Sequence, residues 1–93
     1  MEATLWQVLS GTRGGTNRAR ILRSLRDRPR NTNQLAQVLD LDYKTVEHHL
    51  DVLVEKDVVE DSGGGYGAVF LPTDQVVRHW ETVDGIIAQT VDC

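Results

Sequence analysis

At 93 residues, 40% of them hydrophobic, the chain is long enough for one domain with a single modest core. That size leaves little room for an enzyme cleft, no apolar run is long enough to span a membrane, and a lone cysteine, Cys93, excludes an internal disulfide. The formal net charge of −4 opposes nucleic-acid binding in sum, so the distribution of charge has to decide.

That distribution is uneven. Residues 1–30 hold seven Arg against Glu2 and Asp27, whereas residues 31–93 hold Lys44, Lys56 and Arg78 against twelve acidic residues. Arginines on a helix are commonly a solvated face. Clustered, they also form a local patch able to meet phosphates despite the global charge. The opening MEATLWQVLSGTRGG lacks the basic and then apolar order of a secretory signal, so a soluble cytoplasmic protein is expected.

In chain order, residues 2–10 read as a helix with Leu5, Val8 and Leu9 on one face and Trp6 beside it. The glycines of GTRGG (11–15) break it. Thr16 is positioned to cap a second helix, 16–27, with Ile21, Leu22 and Leu25 inward and Arg18, Arg20, Arg23 and Arg26 largely outward. Arg28-Pro29-Arg30 ends that helix. A third helix, 32–39, is capped by Asn31 or Thr32, and Gln34 is placed to close a capping box with Asn31. Leu35, Val38 and Leu39 fall on its apolar face.

Leu41 plugs a tight turn, and Asp42 caps a fourth helix, 43–56. Val46, Leu50, Leu53 and Val54 form its apolar stripe. Opposite lie Lys44, Glu47, His48 and Asp51, at i, i+3, i+4 and i+7. A short helix, a polar turn and a longer helix with one polar face is the unit that seats a recognition helix in a DNA major groove. A plain helical hairpin packed in a core gives the same pattern, so the next segment matters. Residues 58–71 read as a β-hairpin: Val58-Val59, a glycine tip at 63–65, then Tyr66–Leu71 stopped by Pro72. Three helices followed by strand, tip and strand make a winged helix-turn-helix, mainly α with a small β-hairpin.

The chain closes on a predicted helix, 73–91. Val76, Trp80, Val83, Ile87 and Thr90 repeat at heptad spacing, and Val77, Ile86 and Val91 widen the stripe. Packing within one chain would account for it, but a domain this small is expected to leave part of so broad a stripe uncovered. A homodimer is therefore expected, built on Val76, Trp80, Val83 and Ile87 with help from Leu5, Trp6 and Leu9. Residues 1–93 are read as one domain, with core and wing at 11–72 and the dimerisation helix at 73–91.

GTRGGTNRARIL, RPRNTNQLA, DYKTVEHHLDVL and YGAVFLP together resemble archaeal, especially haloarchaeal, winged-helix regulators of the ArsR type, over roughly residues 11–72. An acidic total, Asp above Glu and eight Arg beside two Lys also resemble proteins of salt-loving archaea, whose surfaces stay soluble by acidity. The resemblance implies a dimeric transcription factor that binds double-stranded DNA. It implies Tyr43, Lys44, Thr45, Glu47, His48 and His49 on or beside the DNA-facing side of the recognition helix. It puts Arg18 and Arg20 on the helix behind, and Thr32, Asn33 and Gln34 where backbone N–H groups meet a phosphate. Arg18, Arg20 and Asn33 are expected to hold phosphates. The wing tip, Asp61–Gly65, carries no Lys or Arg, which implies a weak grip on the minor groove.

Other chemistry fares less well. Metal sensing occurs among ArsR-like regulators, but His48 and His49 point about 100° apart on a helix, His79 has no ligand-type partner at i+3 or i+4, and there is no Cys pair. No metal, cofactor or catalytic residue is expected. Cys93 lacks a structured surrounding to activate it, and GGGYG lacks the Lys of a phosphate-binding loop. The rival reading is a winged helix used for protein contacts, which Glu47, Asp51, Glu55 and the acidic wing favour and Arg18, Arg20, Arg23, Lys44 and His48 oppose.

Overall fold

The computed structural model describes residues 1–10, 14–63 and 68–90. Among these, the order is α1 (Glu2–Leu9), α2 (Gly15–Asp27), α3 (Thr32–Leu39), α4 (Tyr43–Glu55), β1 (Val59–Asp61), β2 (Phe70–Pro72), α5 (Asp74–Arg78) and α6 (Trp80–Thr90). α2 is the central element, packing against α1, α3, α4, α6 and β2. Its buried Ala19, Ile21, Leu22 and Leu25 meet Leu5, Val8 and Leu9 of α1, Leu35 of α3 and Val46, Leu50 and Leu53 of α4 in one core. This is the winged helix-turn-helix, mostly helical with a two-stranded antiparallel hairpin.

Local chemistry sets most helix ends. Asn31 Oδ1 accepts from the Gln34 amide at 2.8 Å, and Gln34 Oε1 accepts from the Asn31 amide at 2.9 Å, a reciprocal capping box. Asp42 Oδ2 accepts from the Lys44 amide at 3.1 Å and starts α4. α2 differs from expectation. It begins at Gly15, after Gly14 in a left-handed conformation, with Thr16 already inside the helix and no side-chain cap. Two apolar assignments also change. Val38 and Val54 are exposed, and Ala36 with Leu35 forms the buried face of α3.

α4 ends through crossed hydrogen bonds, Val58 N–H to Leu53 O at 2.9 Å and Asp57 N–H to Val54 O at 3.1 Å. Asp57 then carries a positive φ of 63°, where an L-residue is strained and glycine is not. Asp57→Val is expected to lower folding stability by about 1–2 kcal/mol, while Asp57→Gly is at least as stable as the parent chain. Urea midpoints of the two variants check the contrast; equal losses would mean that the side chain, not the backbone, matters there.

The hairpin pairs Val59 with Pro72, Glu60 with Leu71 and Asp61 with Phe70. Pro72 is thus the last residue of β2 rather than a stop before it. Residues 64–67, including Tyr66, lie outside the described residues. Arg30, read above only as part of a helix terminator, bridges to β2 from the other side. Its N–H donates to Phe70 O at 3.3 Å, and Phe70 N–H donates to Arg30 O at 2.8 Å.

The predicted 73–91 helix is interrupted at His79. The His79 N–H is shared between Gln75 O and Val76 O, and its Nδ1 lies 2.9 Å from Gln75 O, so the regular ladder is not continued there. Thr73 caps α5 and donates from Oγ1 to Asp57 O at 2.9 Å, anchoring the segment on the end of α4. The break lets α6 lie across α1 and α2, where Thr82 Oγ1 donates to Glu2 Oε2 at 3.0 Å.

The expected dimer seam is corrected by this packing. Val76 and Val83 are fully buried, Ile87 nearly so, and Leu5 and Leu9 are fully buried with them, all in the core of a single chain. The domain covers most of the stripe but not all of it. Trp80 is half-buried under the Arg26 guanidinium, 5.3 Å from its ring, while Trp6 stays 41% exposed and Val77 is exposed. The Thr90 side chain and Val91 lie outside the described residues.

Candidate nucleic-acid interface

α4 is amphipathic by its spacing. Val46, Leu50 and Leu53 lock one face into the core, which leaves Tyr43, Lys44, Glu47, His48 and Asp51 in solvent and Thr45 half-buried. The exposed face of its first turns presents an aromatic phenol 49% exposed, one ammonium, one carboxylate and one imidazole. Such a set can donate to base acceptors, accept from cytosine N4 and touch a thymine methyl. At the start of α3, Thr32 is half-buried and Asn33 and Gln34 are exposed. The capping box already engages the Gln34 amide, so the N–H groups of Thr32 and Asn33 are the first-turn donors without an intrahelical acceptor.

The arginines are placed differently from expectation. Arg18 is not on the outer face: it is 4% exposed, and its Nε donates to Val8 O at 2.7 Å. Its Nη1 lies 3.3 Å from His49 Nδ1. A phosphate cannot reach it without dismantling the core, so Arg18 is removed from the expected DNA contacts. Arg20 is half-buried and donates from Nη2 to Leu39 O at 2.9 Å, closing the carbonyl end of α3. Arg30 contacts Asp27 at 3.2 Å, and Arg26 covers Trp80. Arg23 and Arg28 are exposed. Arg13 lies outside the described residues.

Sequence reasoning missed the cluster behind α4. His49 is buried, as are Arg18 and Gly15, and Gly14 lies against them. Burial lowers the Arg18 pKa; burial, then the Arg18 charge and then His48, lower that of His49. The signal was present in the spacing. Arg18 stands three and four residues before Ile21 and Leu22, and His49 stands three after Val46 and four before Leu53, all on buried faces. The His48 and His49 rings are 5.6 Å apart. Among the described residues, no three His, Cys, Asp or Glu side chains are grouped to hold a metal ion, and no helix is long and apolar enough to cross a membrane.

Residues 16–61, from the first turn of α2 through β1, match the family described as bacterial regulatory protein, arsR family. The fold resembles the solution structure of a homodimeric winged helix-turn-helix DNA-binding domain from Mycobacterium bovis, described as a possible ArsR-family transcriptional regulator. That likeness has a TM-score of 0.73 at 20% identity, over 94% of this chain and 77% of the other. No curated protein matches the sequence significantly. The α2–α4 unit, set in this fold and carrying this match, defines the class: a winged helix-turn-helix domain of a DNA-binding transcriptional regulator. Its helix-turn-helix segment is similar to those of arsR-family regulators.

Proposed function

We propose that the chain binds duplex DNA as a homodimer and reads sequence through the first turns of α4. The observation that carries this reading is the division of α4. Its apolar face is fixed in the core of the ArsR-matching segment, and Tyr43, Lys44, Glu47 and His48 stand free on the other. Two copies of α4 then enter successive major grooves, about 34 Å apart on a roughly palindromic site. Lys44 and His48 reach base edges or phosphates, Tyr43 and Thr45 the backbone or a thymine methyl, and Thr32 and Asn33 a phosphate at the start of α3.

Support for the dimer comes from the M. bovis domain, which is homodimeric, and from Trp6, a large apolar side chain left in solvent on α1. With the seam residues in the core, the proposed contact uses the outer surfaces of α1 and the α5–α6 segment, through Trp6, Val77 and the open edge of Trp80. The acidic total charge fits a high-salt, haloarchaeal setting and a place in the cytoplasm with the DNA. There the phosphate term is screened, and base contacts supply most of the selectivity.

His48→Ala tests the reading head. A good base contact is worth about 1–3 kcal/mol of discrimination, so this variant should lose about tenfold or more of its preference for a selected duplex over a scrambled one. Fluorescence anisotropy against both duplexes at matched salt measures the ratio. An unchanged ratio would remove His48 from the reading head.

A further inference from the structure

We infer that the proton on His49 sets how α4 is seated on the α1–α2 corner, through Arg18, and so tunes the DNA affinity; this rests on the DNA-binding reading above. Arg18 ties three elements together. It belongs to α2, donates from Nε to the Val8 carbonyl of α1 at 2.7 Å, and reaches His49 of α4 with Nη1 at 3.3 Å. A guanidinium has donors only. The His49 Nδ1 that meets it must therefore be the unprotonated nitrogen, and the ring proton sits on Nε2. His49 fits this seat only as neutral imidazole.

A second proton, on Nδ1, sets N–H against N–H and cation against cation where both residues are buried. One partner has to leave. Arg18 is held by Val8 O, and the Gly14 backbone lies against both groups, so that a Cβ there would be 2.7 Å from His49 Cε1 and 3.4 Å from Arg18 Nη1. With no room to turn in place, the ring can part from Arg18 only by shifting together with α4, the helix that reads DNA.

Among the described residues, the charged or titratable groups acting on His49 are Arg18 from α2 and His48 on its own helix. α3 carries no titratable side chain, Glu60 and Asp61 of β1 are exposed, and Glu2 of α1 is bonded to Thr82. The sign follows from the cause. Burial and Arg18 disfavour the charged ring, so the seated form is complete above the usual imidazole range and is lost as the pH falls below it. His48 is exposed on the DNA-facing side of α4 and has its own effect on binding. The two must be separated.

The test uses His48→Gln as the background and measures duplex DNA affinity by anisotropy from pH 8 to pH 5 at fixed ionic strength. Affinity is expected to fall about tenfold on acidification, as protonation of His49 moves the population toward the displaced state. Adding His49→Gln, which offers an acceptor but takes no proton, should flatten the profile. Affinity that stays level or rises in the background variant overturns the inference, as does an equal fall with His49→Gln present. Ring and amide NMR titration of the unmodified chain gives a readout without DNA. If the unmodified chain binds no duplex at any pH, the DNA reading fails, and the coupling stands or falls on whether the Val8 and Leu9 amides shift with His49.

Discussion

Gly14→Ala is expected to lower folding stability by about 3 kcal/mol, summing a left-handed backbone penalty of about 1–2 kcal/mol and an overpacking penalty of similar size. Gly14 has a φ of +88°, and its added Cβ would meet His49 Cε1 at 2.7 Å and Arg18 Nη1 at 3.4 Å. These neighbours cannot give way cheaply. His49 is held on α4 by Val46, Leu50 and Leu53, and Arg18 is bonded to Val8 O. A loss of this size is a large part of the stability of a domain this small. Urea denaturation at pH 8, where His49 is neutral, measures it. A loss below about 1 kcal/mol would show that the α1–α2 corner relaxes freely. Gly15 is under a related constraint, since a Cβ there would lie 2.6 Å from Leu9 O.

The second large effect is expected from Glu47→Arg. Glu47 is exposed in the second turn of α4, beside His48, and faces away from the core. With α4 in a major groove, its carboxylate repels the flanking phosphates. The substitution removes that repulsion and adds a phosphate donor. Affinity for non-specific duplex DNA should rise about tenfold at low salt, and the salt dependence should steepen by about one unit of slope. The gain should shrink in molar salt, where the phosphate term is screened. Unchanged affinity would mean that α4 is not the reading head, and a winged helix used for protein contacts would take its place.

What could be read from the sequence was governed by short-range chemistry. The capping box of Asn31 and Gln34 and the Asp42 cap were legible because the partners lie two or three residues apart. The polar face of α4 was legible because Val46, Leu50 and Leu53 fix its phase. Arg18 was misplaced because residue type was given more weight than position: it shares the face of Leu22 and Leu25, where a helix in this fold turns inward. The C-terminal stripe shows a different difficulty. Spacing reports that Val76, Val83 and Ile87 share a side, but not whether the same chain or a second one covers it. The break at His79 and the approach of α6 to α1 decide that, and both are long-range.

The Arg30–Phe70 bridge bears on what can be cut out of this chain. The stretch that matches the regulator family, residues 16–61, stops before Phe70, which satisfies the backbone of Arg30 on both its N–H and C=O. It also lacks Leu5 and Leu9, and Val83 and Ile86, which close the core around α2. Excised alone, it would expose the inner face of α2 and leave the approach to α3 without its partner strand. The stretch that carries the family match is thus smaller than the packed unit around it. A chimera that transplants DNA specificity into another scaffold would have to carry the flanking helices and the return strand as well as the reading head.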